Sequence, residues 1–150
     1  MANDEIIEQL NKLIETCKDG EYGFRTSADH VKSPDLREVF LNRAADCERG
    51  AGELQGVVAG LGGKPDKRSS ASGTLHRGWV AVVGKLSGYS DEKILDECER
   101  GEDVALERYR AALKQPLPGD IMGLVQRQYE GAKRNHDQVR TLRDQVHAAG

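Results

Sequence analysis

Lys12-Leu13-Ile14-Glu15-Thr16-Cys17-Lys18-Asp19-Gly20-Glu21 returns 81 residues later (93 against 12) as Lys93-Ile94-Leu95-Asp96-Glu97-Cys98-Glu99-Arg100-Gly101-Glu102. The correspondence runs on without a gap: Leu36, Gly50, Ala51, Val58 and Leu61 meet Leu117, Gly131, Ala132, Val139 and Leu142. One unit is therefore used twice. Within it the apolar positions Ile6, Ile7, Leu10, Leu13, Ile14, Cys17, Phe24, Ala28 and Val31 repeat at the spacing of one helix face. Ser33-Pro34 interrupts that helix, because a residue preceding proline is pushed out of the helical region. The same serine can cap the next helix, with Pro34 in its first turn.

The spacing predicts helices over 3–32, 34–62, 90–115 and 118–147, with Asn3 or Asp4 capping the first. A shorter helix is expected over 74–87. Gly62-Gly63 ends the second helix, and Pro116 and Pro118 separate the last two. No useful strand-type alternation appears. The expected fold is all-α: one four-helix-bundle domain over 1–150, with hairpin 1 at about 3–62, crossover 63–89 and hairpin 2 at about 90–147.

Composition narrows the function. Apolar residues make up 37% and aromatics only 5%, so the core is lean and rests on Leu, Val, Ile and Ala. A net charge of −3 argues against a nucleic-acid binder. No apolar run reaches the roughly 18 residues needed to span a bilayer, so no membrane partner is expected. Met1 to Glu8 is acidic and amphipathic and does not read as a secretory signal. Cys17, Cys47 and Cys98 form no Cys-x-x-Cys pair, which removes zinc-ribbon and thioredoxin readings. They read as small buried apolar residues, and their odd number points to a reducing compartment, the bacterial-type cytoplasm.

Gly20, Gly50, Gly101 and Gly131 fall inside long helices, where each costs roughly 1 kcal/mol relative to alanine. Their matched positions predict close backbone approach in one central layer. Glu21, between Cys17 and Phe24, and Glu102, between Cys98 and Ala105, stand on the apolar stripes. His136 does so on the fourth helix. Carboxylates in a core need a cation, a proton or a hydrogen-bond network. Three arrangements satisfy them: a shared metal, a shared proton, or separate Arg or Lys partners, with His136 then a hydrogen-bonded core histidine.

The strings Leu13 to Phe24, Leu75-His76-Arg77-Gly78-Trp79, Glu97 to Asp103 and Asn135-His136-Asp137 resemble a bacterial family of small ferritin-like four-helix-bundle proteins of unknown function. Glutamates on the first and third helices, hairpin duplication and a long crossover are similar to the wider ferritin-like superfamily. That resemblance implies a centre holding iron, manganese or zinc through Glu21, Glu102 and His136, with Glu53 or Glu48 added. The superfamily's di-iron sites also use Glu-x-x-His on the second and fourth helices. Here Glu48 is followed at the third position by Ala51, Glu53 by Gly56 and Glu130 by Lys133.

The oxygen-activating set is thus incomplete, and no nucleophile–base pair is evident. The reading is a non-catalytic structural, stress-associated or interaction protein with a vestigial ferritin-like centre; the alternative is a metal-binding protein. His76-Arg77-Gly78-Trp79 reads as a cover packed on the bundle. Val80, Val82 and Val83 form an apolar patch that a C2 homodimer would bury.

Overall fold

The computed structural model describes residues 2–65 and 88–149. Four helices account for almost all of them: α1 (Asn3–His30), α2 (Pro34–Gly60), α3 (Asp91–Leu113) and α4 (Gly119–Ala149). There is no strand among the described residues. The two expected hairpins are present, and all four helices run unbroken through Gly20, Gly50, Gly101 and Gly131. The short helix expected over 74–87, with His76, Arg77, Trp79, Val80, Val82 and Val83, lies outside the described residues.

Chain punctuation follows local chemistry. Ser33 Oγ accepts the Leu36 N–H at 3.3 Å, and Ser90 Oγ accepts that of Lys93 at 3.2 Å. Each satisfies one of the free donors of a helix start. Helix α1 differs from expectation: Ala2 occupies the cap and makes no side-chain bond, while Asn3 and Asp4 lie inside the first turn. At the end of α2, Gly62 adopts φ +83°. Its N–H donates to Ala59 O, and that of Gly63 donates to Val58 O at 3.0 Å. This double closure of the last turn needs a left-handed residue, which glycine supplies without strain. The Asp91 carboxylate accepts the N–H groups of Lys32 and Ser33 at 2.8 and 3.0 Å, tying the α1–α2 turn to the start of α3.

Helix α1 packs against both α2 and α3, and α3 packs against α4, whereas α2 and α4 barely touch. Helices α2 and α3 are accordingly diagonal. The apolar interior divides into two clusters. One gathers Ile6, Leu10, Leu13, Ile14, Leu54, Val58, Ile121 and Val125. The other gathers Phe24, Phe40, Ala44, Ile94, Leu95 and Val139. Between them lies a layer of small and polar residues at the level of Gly20, Gly50 and Glu102.

The central-layer reading of the glycines holds in the first hairpin. A Cβ placed on Gly20 would stand 2.8 Å from Cys47 Sγ, and one on Gly50 would stand 3.4 Å from Cys17 Sγ. The two thiols thus seat against each other's helix backbone. Gly131 departs from this pattern: it is half-buried, and a Cβ there meets only Arg134 Nη2 at 3.7 Å. The second hairpin is looser at its midpoint because no side chain of α3 presses on that glycine.

Gly20→Ala should therefore destabilise the protein by about 1–2 kcal/mol despite its better helix propensity, since overpacking outweighs that gain. Adding Cys47→Ala should restore most of the loss. Denaturant unfolding of the three variants measures this, and a stabilising Gly20→Ala would contradict the packing described.

Candidate functional site

The polar layer is built around Arg43. Its guanidinium enters from α2 and its side chain is only 6% exposed. Nη2 donates to Glu102 Oε2 on α3 at 3.0 Å, and Nη1 donates to Asp46 Oδ2 at 3.0 Å. Its cationic carbon also lies 5.2 Å from the centre of the Phe24 ring, a favourable position over the ring's negative face. Because α2 and α3 are diagonal, the Arg43–Glu102 bond crosses the bundle interior. Glu102 Oε1 and Arg43 Nε are buried without a hydrogen-bond partner.

Burial pushes the Glu102 carboxyl up to about 7. The Arg43 guanidinium and His136 pull the other way, and Asp103 adds to the rise. Desolvation outweighs the neighbouring cation here, as expected where an ion pair leaves water.

Of the other expected site residues, Glu21, Glu48 and Glu53 bond elsewhere, whereas His136, on Asp103, is near enough to Glu102 to lower its carboxyl's pKa. Glu21 is bonded by Arg25 one turn further along α1, with Lys18 Nζ 3.7 Å away. Arg25 also donates to Glu48 Oε2 at 2.7 Å, so Glu21 and Glu48 share a surface cation. His136 Nε2 lies 2.5 Å from Asp103 Oδ1. Glu53 accepts from Gln128 Nε2 at 3.0 Å. The facing Glu21–Glu102 pair expected from the repeat is not formed, because each carboxylate meets its own cation. Of the three arrangements open to them, separate basic partners is the one adopted.

The donor set consequently does not fit a ferritin-like metal centre. Among the described residues, no three His, Cys, Asp or Glu side chains gather in a group that could hold a metal ion. One oxygen each of Glu21, Glu48 and Glu102 accepts from a guanidinium group and Glu53 accepts from the Gln128 amide, while Glu21 Oε1 and Glu102 Oε1 make no hydrogen bond. An internal organic cation stands at the middle of this bundle.

All three cysteines are free: Cys17 and Cys98 are buried and Cys47 is half-buried. Burial pushes the Cys17 thiol up to about 11 and those of Cys47 and Cys98 well above their usual value. They stay protonated at neutral pH, in keeping with packing roles. Cys17 Sγ lies 3.3 Å from the Tyr109 hydroxyl, which donates to Gln128 Oε1 at 2.9 Å. Gln128 in turn donates to Gly50 O at 3.1 Å. This chain is the polar link between α2 and α4.

Sequence reasoning missed Arg43, Asp19 and Glu97 as buried residues. Arg43 had a signal. It sits three after Phe40 and four before Cys47, and the repeat pairs it with Leu124, a core position.

A family model described as a domain of unknown function, DUF2383, matches residues 5–115. No curated protein matches the chain. Among solved structures, the chain is similar to the bacterioferritin-related protein of Bacteroides fragilis, described as a dodecameric thioferritin. The two share 14% identity over 99% of this chain and 90% of that one, with a TM-score of 0.84. The fold is thus a ferritin-like four-helix bundle.

The raised Glu102 carboxyl has a pH consequence. Its folded form holds a proton to higher pH than the unfolded chain, whose value is near 4.5. Its contribution to stability is therefore complete below about 4.5 and is lost as pH rises through about 7. Glu102→Gln should flatten the stability–pH profile between pH 5 and pH 8, measured by urea unfolding. Parallel profiles for the two proteins would contradict the assignment.

Proposed function

The chain belongs to the DUF2383 family, and from that premise we propose that it is a non-catalytic ferritin-like bundle with a structural or interaction role. One observation carries this reading: the Arg43 guanidinium, buried and bonded to Glu102 and Asp46, fills the centre with a cation that belongs to the chain. A protein built to load and unload iron leaves its carboxylates free to ligate. This one holds them in ion pairs whose disruption would leave buried charge uncompensated.

Among the described residues, no acid–base or nucleophilic set stands in place of the metal. Burial raises the pKa of all three thiols well above neutral, and His136, its side chain mostly buried, is bonded to the exposed Asp103. No helix among the described residues is long and apolar enough to cross a membrane. Work in the cytoplasm and self-association belong to the same proposal. The homodimer is the simplest closed form, and the dodecamer of the Bacteroides fragilis protein is a larger closed assembly on this fold.

Equilibrium dialysis of untagged protein against Fe(II), Mn(II) and Zn(II) tests the reading. The expected result is no stoichiometric uptake and a melting temperature unchanged by chelator. One metal per chain, lost in Glu102→Gln, would overturn it in favour of a metal-binding function at Glu21, Glu102 and His136.

A further inference from the structure

The face of α2 that points away from the core carries small residues where a solvent-facing helix ordinarily carries polar and charged ones. Ala45, Gly52 and Ala59 recur on it every seven residues, and Gly56 follows Gly52 by one turn. A Cβ placed on Gly52 or Gly56 would meet nothing within 4 Å, and neither glycine has a positive φ. Each weakens the helix relative to alanine, with no turn and no close contact inside the chain in return. Glycine and alanine along one line of a helix let another backbone approach closely.

Two further observations say what approaches. The large apolar side chains left exposed among the described residues are Tyr22 and Leu41, at 43% and 48%. Leu41 stands on this face of α2, and Tyr22 lies on α1 one turn before Arg25, which bonds Glu48. Charge is also matched. Glu48 and Arg49 sit at the centre of the face, with side chains 58% and 69% exposed. Glu48 accepts from Arg25 and Arg49 donates to Asp46, and each keeps bonding capacity on its exposed side.

A two-fold axis between Glu48 and Arg49 makes this face its own complement. With two α2 helices antiparallel about it, Glu48 meets the partner's Arg49, Ala45 meets the partner's Gly52, and Leu41 meets the partner's Gly56. Opposite charges face each other, small faces small, and the large apolar side chain faces a glycine with open space. Moving the axis half a heptad one way sets Leu41 against the partner's Arg49. Moving it the other way sets Leu41 beyond the end of the partner's α2.

We propose that this face docks a second copy of the chain, the two α2 helices packing antiparallel in an isologous dimer. The proposal rests on the self-association included in the reading above and supplies the surface for it.

Sedimentation velocity of the full chain over a dilution series is the test. The wild-type chain should sediment as a dimer that dissociates on dilution. Gly52→Gln should raise the dissociation constant at least about tenfold. The same change should keep or increase resistance of the monomer to urea, since the position is open and glutamine is the better helix former. Glu48→Arg and Arg49→Glu should each weaken association by a similar factor, because each sets like charges across the axis. An equimolar mixture of those two should recover it as a heterodimer, since every cross-chain pair is then opposite in sign. A chain monomeric up to about 1 mM, the weak end of specific binding, would overturn the proposal together with the self-association it rests on. Self-association that all three variants leave unchanged, or a mixture no tighter than its parents, would overturn the α2 surface alone.

Discussion

Placing Glu102 in the interior obliges the fold to place a cation beside it. An ionised carboxylate moved out of water costs several kcal/mol unless paired, and Arg43 is the partner, reaching across the diagonal from α2. Much else follows from that reach. Arg43 enters from α2 one turn before Cys47, whose thiol packs closely on Gly20 of α1. Its guanidinium also lies over the Phe24 ring, with the cationic carbon 5.2 Å from the ring centre. Its second Nη group needs an acceptor, which Asp46 supplies one turn along the same helix. The two apolar clusters flank this layer, and the Arg43 and Glu102 side chains are each only 6% exposed, so their charges are weakly screened.

The duplicated sequence makes the asymmetry of the result informative. Glu21 and Glu102 are equivalent in the repeat yet live in different surroundings. Glu21 lies beside Lys18 and Arg25 at a helix edge, while Glu102 faces the centre and has no cation one turn away on its own helix. The second helices differ in the same way. Cys47 packs on Gly20, but its counterpart in the repeat is Gln128, which turns toward Gly50 and Glu53. The first hairpin closes tightly, the second does not, and the space between α2 and α4 is the consequence.

The four long helices, their hairpin order and most of their boundaries were legible in the sequence because they depend on local signals. Apolar spacing, Ser33-Pro34 and the glycine pair after α2 each act within a turn or two. The positions of Glu21 and Glu102 on apolar stripes were legible too, and Glu102 is indeed buried. Their partners were not, because an arginine side chain can reach across a bundle and its destination depends on packing between distant segments. Arg43 stood on an apolar stripe by the same spacing that singled out Glu21. Asp19 and Glu97 show the opposite difficulty: their burial is set by neighbouring helices, with no periodic signal of their own. Ala2 capping α1, where Asn3 or Asp4 was expected, shows how far a boundary shifts when no side-chain bond fixes it.

The central claim is that the Arg43–Glu102 pair is a coupled unit, each member tolerable only because the other is present. A double-mutant cycle of Arg43→Met and Glu102→Leu, followed by urea unfolding at pH 8 where Glu102 is ionised, tests it most directly. Arg43→Met alone should cost about 3 kcal/mol, the penalty of stranding a buried charge. The double variant should recover at least half of that loss, since an apolar pair of similar volume replaces the ions. Single losses below about 1 kcal/mol that simply add would show the two residues to be independent and would contradict the account.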